Sequence, residues 1–251
     1  MHTNYKNVNF DWSNPIRINN KENCKKIIKN RKKILSLLEK KKLNKDNKLC
    51  RFFHDIGLTY EYENDFLNAK KYYNLSIKYS LNLNKYYLKS MYYNGFLYAK
   101  SKMFDNAFRY FSELSEYRYE DSSWYAARLC FILRKFSLMY HYLFRSAEGN
   151  NPYACLFFAE KYSKNLNDNM FLDKIKYRKL KSFAITAEKL LKDKNDNNHQ
   201  RSLLVLIRIF MNEGDFDSVL NLRNKLTKDN KEKVYKMDKK ILGKYFPFFT
   251  L

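Results

Sequence analysis

The feature that most restricts the fold of this 251-residue chain is an internal repeat of small and aromatic residues. Two stretches, 38 residues apart, place similar residues at six positions with the same spacing. The matched positions are Gly57, Tyr60, Phe66, Ala69, Tyr73 and Ser76 in the first stretch, and Gly95, Tyr98, Phe104, Ala107, Phe111 and Leu114 in the second. A period of this length is typical of helical hairpins that bury their apolar faces against neighbouring copies. The sequence therefore predicts an all-α array of stacked hairpins.

The small residues of the repeat indicate where helices approach one another closely. Glycine inside a helix costs about 1 kcal/mol relative to alanine, so Gly57 and Gly95 are expected where a neighbouring helix leaves no room for a side chain. Ala69 and Ala107 take the same role on the second helix of each hairpin. The turns ENDF and SKMFD separate the paired helices. Only 5 glycines and 3 prolines occur, too few for a turn-rich β-sandwich or barrel.

Weaker copies of the repeat follow. A third unit, 32 residues after the second, comprises Ala127, Cys130, Phe136, Met139, Leu143 and Ser146. A fourth trace lies at Ile207, Phe210, Phe216 and Val219. The stretch between them is predicted to be irregular in its spacing, with a helix that begins at Pro152 and is capped by Asn150 or Asn151. A long helix is predicted from about residue 170 to about residue 192.

This pattern resembles the tetratricopeptide repeat family, well over residues 49–146 and poorly over residues 200–226. It departs from the family in its variable spacing and in lacking the proline that usually closes each repeat. The resemblance implies an α-solenoid, a right-handed superhelix of hairpins with a concave partner-binding face, and leaves the partner open. The alternative is a generic helical bundle with chance matches. The predicted boundaries are 1–20 for a polar lead, 21–45 for a basic amphipathic helix, 46–226 for the array, and 227–251 for a basic helix with an apolar tail.

Positive charge is concentrated at the two ends of the chain. Lys and Arg number 49 against 26 acids, a net charge of +23, of which residues 1–48 carry +10 and residues 223–251 carry +6. Such an excess attracts polyanions, although AT-rich coding also inflates lysine. The uneven distribution favours a polyanion. The candidate polyanion contacts are Lys25, Lys26, Lys29, Arg31, Lys32, Lys33, Lys40, Lys41, Lys42, Lys231, Lys233, Lys236, Lys239, Lys240 and Lys244.

The terminal segments also carry candidate docking aromatics. The basic helix near the start can cap the array, grip phosphates or lie on an anionic membrane, and capping is favoured. Trp12 in the polar lead and Phe246, Phe248 and Phe249 in the tail are the candidate partner-docking residues. The tail either folds back onto the last hairpin, which is favoured, or enters a pocket of a partner.

Catalytic, cofactor and metal motifs are not evident in the sequence. His54 and His141 are interpreted as packing or surface residues, and Glu61 and Glu63 as solvated charge. Cys130 and Cys155 lie among apolar residues and are predicted to be buried as free thiols. This use of cysteine indicates a reducing compartment. No apolar run is long enough to span a membrane, and a cytoplasmic location is expected.

These observations lead to two hypotheses for function. The first is a non-catalytic repeat protein that docks on an RNA-containing assembly such as the ribosome, with the basic ends on phosphates and the array on protein subunits. The alternative is a tetratricopeptide-type adaptor or scaffold that binds a protein or peptide in its concave face. Neither hypothesis needs a cofactor or a small-molecule substrate.

Overall fold

The computed structural model describes residues 47–163, 174–192, 197–228 and 230. This part of the chain contains ten α-helices and no β-strand. The helices are α1 (Asn47–Tyr62), α2 (Phe66–Tyr79), α3 (Lys85–Lys100), α4 (Phe104–Glu116), α5 (Ser122–Ile132), α6 (Phe136–Glu148), α7 (Pro152–Ser163), α8 (Lys174–Leu191), α9 (Asn197–Glu213) and α10 (Phe216–Asn224).

The helices belong to two compact units, one ending at Tyr140 and the other beginning at His141. In the first unit each helix from α1 to α4 contacts the next helix along the chain, and α1 also contacts α3. In the second unit each helix from α7 to α9 contacts the next one, and α7 also contacts α9. Contacts between chain neighbours and between alternate helices are those of stacked hairpins. The predicted all-α, tetratricopeptide-like hairpin fold is therefore confirmed.

Between the third and fourth units, the predicted helix from Pro152 and the predicted long helix after it are present as α7 and α8, which pack together as a further hairpin. Ten residues separate these two helices, whereas two or three residues join the helices of every other pair. This long connection breaks the spacing on which the sequence comparison relied. The cap of α7 is Asn151, whose Oδ1 accepts hydrogen bonds from the backbone N–H groups of Tyr153 and Ala154 at 3.2 and 3.1 Å.

The turns inside four of the hairpins share one backbone path. Each contains one residue in the left-handed region: Asn64, Lys102, Arg134 and Gly214, with φ of 62°, 59°, 58° and 75°. In each turn the N–H of the following residue donates to the carbonyl oxygen five residues back, as in Asp65 to Tyr60 (2.9 Å) and Met103 to Tyr98 (2.9 Å). The same bond runs from Lys135 to Cys130 (2.8 Å) and from Asp215 to Phe210 (3.0 Å). These bonds satisfy carbonyl groups at the end of the first helix.

The two glycines of the repeat lie directly against aromatic rings. A Cβ atom placed on Gly57 would lie 2.6 Å from Cδ1 of Tyr73, and one placed on Gly95 would lie 2.8 Å from Cζ of Phe111. Both rings are fully buried. The ring of the second helix therefore occupies the space that a side chain on the first helix would need.

Several predictions concern residues outside this part of the chain. They include the basic helix at residues 21–45, the basic helix and tail after residue 230, and Trp12. The predicted domain boundaries stay predictions. Among the described helices, none combines the length and the apolar character that crossing a membrane requires.

Candidate functional site

The predicted site residues fall into two groups. The polyanion contacts of residues 25–42 and 231–244 and the aromatics of the lead and tail lie outside the described residues. The ten repeat positions lie within the hairpins. Ala69, Tyr73, Ala107 and Phe111 are fully buried, while Tyr60, Phe66, Tyr98 and Phe104 are half-buried. They form the frame on which surface residues are presented.

Half-buried tyrosines of the repeat stack in register. The ring of Tyr60 lies 5.2 Å from that of Tyr72 with an interplanar angle of 7°, and the ring of Tyr98 lies 5.6 Å from that of Tyr110 at 15°. Offset stacking of this kind adds about 0.5–1.5 kcal/mol to the energy of burial. These rings therefore contribute to the stability of the hairpins rather than to a binding pocket.

A chain of buried polar groups joins the first two hairpins. Nδ1 of His54 on α1 lies 2.9 Å from Oγ of Ser90 on α3. The Ser90 hydroxyl donates to Oγ of Ser76 on α2 at 2.8 Å, and Ser76 donates to the backbone carbonyl of Cys50 at 2.8 Å. Because the Ser90 proton is used in that bond, Nδ1 of His54 is the donor to Ser90. The chain satisfies groups that would be costly to bury without partners.

Burial lowers the pKa of His54 to about 3, and the positive charge of Lys89 lowers it further in the same direction. The imidazole is therefore neutral at physiological pH. Cys50 lies one helical turn before it on α1. Within the described residues no group of three or more His, Cys, Asp or Glu side chains is placed to hold a metal. The pair belongs to the hairpin interface.

A charged cluster lies on α1 and α3, the first helices of the two hairpins. It consists of Arg51 and Asp55 of α1 and Lys85, Tyr86 and Lys89 of α3, and is called the Arg51–Lys89 cluster below. Nε of Arg51 lies 3.7 Å from Oδ2 of Asp55, at a separation of one helical turn. The Tyr86 ring has the Arg51 guanidinium at 5.6 Å and the Lys85 ammonium at 5.2 Å from its centroid.

The electrostatics of the cluster leave an excess of positive charge. Two cations, Arg51 and Lys89, act on one carboxylate, and the Arg51 side chain is 64% exposed against 28% for Asp55. Burial raises the pKa of Asp55, and the charges of Arg51 and Lys89 oppose that rise. A surface of this kind accepts a further carboxylate from outside, with Tyr86 holding the guanidinium in place. These residues belong neither to the basic ends of the chain nor to the repeat positions. The feature of the sequence that could have indicated them is the four-residue spacing of Arg51 and Asp55 on a predicted helix, which suits an ion pair.

The neighbouring surface of α3 and α4 is polar and aromatic. The Tyr87 hydroxyl donates to Oε1 of Glu113 at 3.1 Å, and burial followed by this carboxylate raises the pKa of Tyr87 to about 12. The Tyr110 hydroxyl donates to Oδ1 of Asn74 at 3.0 Å. These residues bond to one another across the stacked helices, so their contribution is to the packing of hairpins.

The interpretation of Glu61 as solvated charge is wrong. Its side chain is buried near the end of α1, and Oε2 accepts a hydrogen bond from the Tyr73 hydroxyl at 2.8 Å. Glu63, two residues later, is exposed as expected. Cys130 and Cys155 are buried as predicted, and burial raises the pKa of both thiols to about 11.

Three known structures align with much of this chain. The protein MamA is 12% identical, with a TM-score of 0.42 over 82% of this chain and 98% of its own. YrrB, described as a TPR protein with an unusual peptide-binding site, is 17% identical, with a TM-score of 0.37 over 68% of this chain and 90% of its own. BtubC from P. vanneervenii is 14% identical, with a TM-score of 0.40 over 76% of this chain and 82% of its own.

No protein-family model matches the chain. No curated protein matches it either. The similarity to the three structures identifies neither a partner nor an activity.

Proposed function

We propose that this protein is a non-catalytic helical-repeat scaffold that binds an acidic segment of a partner protein. The observation that carries the proposal is the Arg51–Lys89 cluster, where cations from two successive hairpins surround a single carboxylate. The stacked hairpins supply a rigid frame, and the cluster presents charge on adjacent first helices. This arrangement suits a ligand that runs across the hairpins rather than one that enters a cavity.

The small energy of an exposed ion pair indicates how such a surface would bind its ligand. An exposed ion pair contributes about 0.2–1 kcal/mol, so one carboxylate on Arg51 gives little affinity. A segment with several acidic residues can contact both hairpins together, and the ordering cost is shared among these contacts. The net charge of +23 adds long-range attraction for an acidic partner. The expected ligand is therefore an extended acidic peptide segment with multiple weak contacts.

Binding can be tested with a fluorescent 12-residue peptide of alternating Glu and Ser, since the natural partner is not identified. Fluorescence anisotropy is measured with the wild-type chain and with the double variant Arg51→Gln, Lys89→Gln. The matched control is Lys71→Gln, Lys78→Gln, which removes the same charge from α2. We expect at least a tenfold rise in Kd for the cluster variant and less than a twofold rise for the control. Equal losses in both variants would show that only net charge matters.

Docking on RNA or the ribosome stays a prediction of the sequence, because its candidate contacts lie outside the described residues. The two functions respond differently to deletion of residues 1–46. RNA bound by phosphate contacts of that segment should be lost on deletion, and sedimentation with ribosomes should weaken steeply with salt. Capture of the acidic peptide should be retained by the same deleted chain, provided that its helical circular dichroism is unchanged.

A further inference from the structure

Asp55 is the carboxylate of the Arg51–Lys89 cluster, and it holds the cations of that cluster only loosely. Its Oδ2 lies 3.7 Å from Nε of Arg51, which is beyond the range of a good hydrogen bond. Both side chains are at least partly exposed, and a pair of this kind contributes little to stability. Arg51 can therefore leave Asp55 for another anion at a small cost in free energy.

The second unit contains the same arrangement in a tighter form. Glu160 is the ninth residue of α7 and Arg201 the fifth of α9, just as Asp55 is the ninth residue of α1 and Lys89 the fifth of α3. Nε and Nη2 of Arg201 donate to the two carboxylate oxygens of Glu160 at 2.7 and 2.6 Å, as in a strong bidentate pair. Lysine has no planar fork of donors, so Lys89 cannot hold Asp55 in this way. The first unit therefore keeps the opposite charges without the tight pairing.

The charges around Asp55 do not offset the cost of its burial. Burial raises the pKa of Asp55 above its ordinary value, and the charges of Arg51 and then Lys89 oppose this rise. His54 beside it is neutral, because burial lowers its pKa to about 3. The titratable and charged groups in this region of the three helices are Arg51 and His54 of α1, Tyr73 of α2, and Lys85, Tyr86 and Lys89 of α3. Asp55 is therefore neutralised at a higher pH than an ordinary aspartate, and the positive charge of the cluster then increases by one.

We infer that Asp55 is a built-in competitor of the acidic partner: it engages the cations of the cluster in the free protein and so lowers the affinity of the site. An incoming acidic residue meets the repulsion of Asp55 as well as the attraction of Arg51 and Lys89. When Asp55 loses its charge, both cations are left to the partner and binding becomes tighter. This inference rests on the proposed acidic-segment function, and it adds that acidity regulates the site.

The first test removes the charge of Asp55 at constant pH. The probe is a fluorescent 12-residue peptide of alternating cysteic acid and serine, because its sulfonates stay ionised from pH 4 to pH 8. Asp55→Asn is compared with Asp105→Asn, which removes one negative charge from α4, where the Asp105 side chain is 78% exposed and lies 3.4 Å from Lys135. By fluorescence anisotropy at pH 7 we expect Kd to fall about threefold for Asp55→Asn, the size of one exposed ion pair, and to stay nearly constant for Asp105→Asn. Asp55→Glu, which keeps the charge, should bind like the wild type.

The second test varies the pH with the same peptide. The wild type should bind more tightly as the pH falls from 7 to 4, because Asp55 takes up a proton in this range, whereas Asp55→Asn should change less. Groups elsewhere in the chain titrate alike in both proteins, so the difference between the two curves reports Asp55. Helical circular dichroism at each pH checks that the chain is folded. Parallel curves for the two proteins would overturn the inference.

The outcomes separate this inference from the function on which it rests. The double variant Arg51→Gln, Lys89→Gln may lose peptide binding while Asp55→Asn binds no more tightly than Asp105→Asn. The acidic-segment function would then stand, and the competitor role of Asp55 would be overturned. A double variant that binds the peptide as tightly as the wild type would overturn both.

Discussion

Gly95 shows how a single missing Cβ atom determines the distance between two helices. The Phe111 ring fills the space beside it, and that ring is itself held by Tyr92, Phe96 and Tyr125 at centroid distances of 5.2–5.8 Å. This close approach could be predicted from the sequence, because a glycine inside a helix is costly and needs a packing reason. That the opposing group is the Phe111 ring could not be predicted, because the spacing within one helix does not show which side chain of the next helix faces it.

Gly95→Ala should destabilise the fold. Alanine favours the helix by about 1 kcal/mol, but a methyl group 2.8 Å from a fully buried ring forces overpacking that costs about 1–3 kcal/mol. The overpacking cost should exceed the helix gain, with a net loss of up to about 2 kcal/mol in the free energy of unfolding measured with urea. Gly149→Ala is the control, because its nearest neighbour lies at 3.4 Å. A gain in stability for Gly95→Ala would contradict the close packing.

The polar chain from His54 to Cys50 is a residue-scale feature that could not be predicted. Ser76 and Ser90 are common residue types, and nothing in the spacing of one helix tells which side chains of another helix will face it. Ser76 belonged to the repeat only as a small residue. The hydrogen bond that it donates depends on how α1, α2 and α3 meet, which only the tertiary structure gives.

His54 should make stability decrease as the solution becomes acidic. Its pKa is 6.5 in the unfolded chain and about 3 in the fold. Between these values the unfolded chain binds more protons, so the free energy of unfolding falls with decreasing pH by up to about 1.4 kcal/mol per pH unit. Above pH 7 the group contributes no pH dependence.

The measurement is a series of urea titrations between pH 4 and pH 8 on the wild type and on His54→Gln, whose amide can still donate to Ser90. The raised pKa of Asp55 acts in the opposite direction, since the folded state then binds the additional proton. Asp55 is present in both proteins, so the difference between them reports His54. Parallel curves for the two proteins would exclude a buried neutral imidazole.

At the scale of elements, the turns and caps explain why some hairpins could be predicted and one could not. Four turns share the same backbone path although their left-handed residues are Asn64, Lys102, Arg134 and Gly214. The repeat positions on either side of each turn are six residues apart in all four hairpins, so the pattern could be recognised in the sequence. The helices α7 and α8 also pack against each other, but ten residues separate them in the sequence, so the pair does not follow the spacing of the repeat.

Lys102→Gly should stabilise the α3–α4 turn. A side chain in the left-handed region costs roughly 1 kcal/mol because Cβ approaches a backbone oxygen, and glycine removes this cost while adding some entropy to the unfolded chain. We expect a net gain of about 0.5–1 kcal/mol, seen as a rise in Tm. Lys102→Ala removes the same charge but keeps Cβ, so it should leave Tm almost unchanged. A gain of equal size in both variants would point to charge instead.

At the scale of the whole molecule, charge is the dominant property. The net charge is +23 over 251 residues, and repulsion among like charges opposes the compact state. The described ion pairs between helices, such as Lys181–Glu213 at 2.7 Å and Arg201–Glu160 at 2.6 Å, join side chains that are partly exposed. Each such pair contributes less than about 1 kcal/mol. Their placement could not be predicted, because it depends on which hairpins are adjacent.

Stability should therefore increase with ionic strength. The screening length is about 30 Å at 0.01 M salt and much shorter in 0.3 M sodium chloride. The added salt therefore weakens repulsion between distant surface charges more than it weakens close ion pairs. We expect a higher Tm by differential scanning calorimetry in the higher salt. Sucrose at matched osmolality is the control for non-ionic effects. A lower Tm in salt would mean that ion pairs outweigh the net repulsion.

The shared path of the four turns has a consequence for how chains of this kind can change in length. The path is formed by backbone hydrogen bonds and tolerates asparagine, lysine, arginine or glycine at its left-handed position. The turn of a hairpin can therefore keep its shape while its sequence changes. Duplication or deletion of a whole hairpin during evolution carries this turn with it, because the turn lies inside the hairpin. Divergent descendants would then share a backbone long after their side chains had ceased to resemble one another.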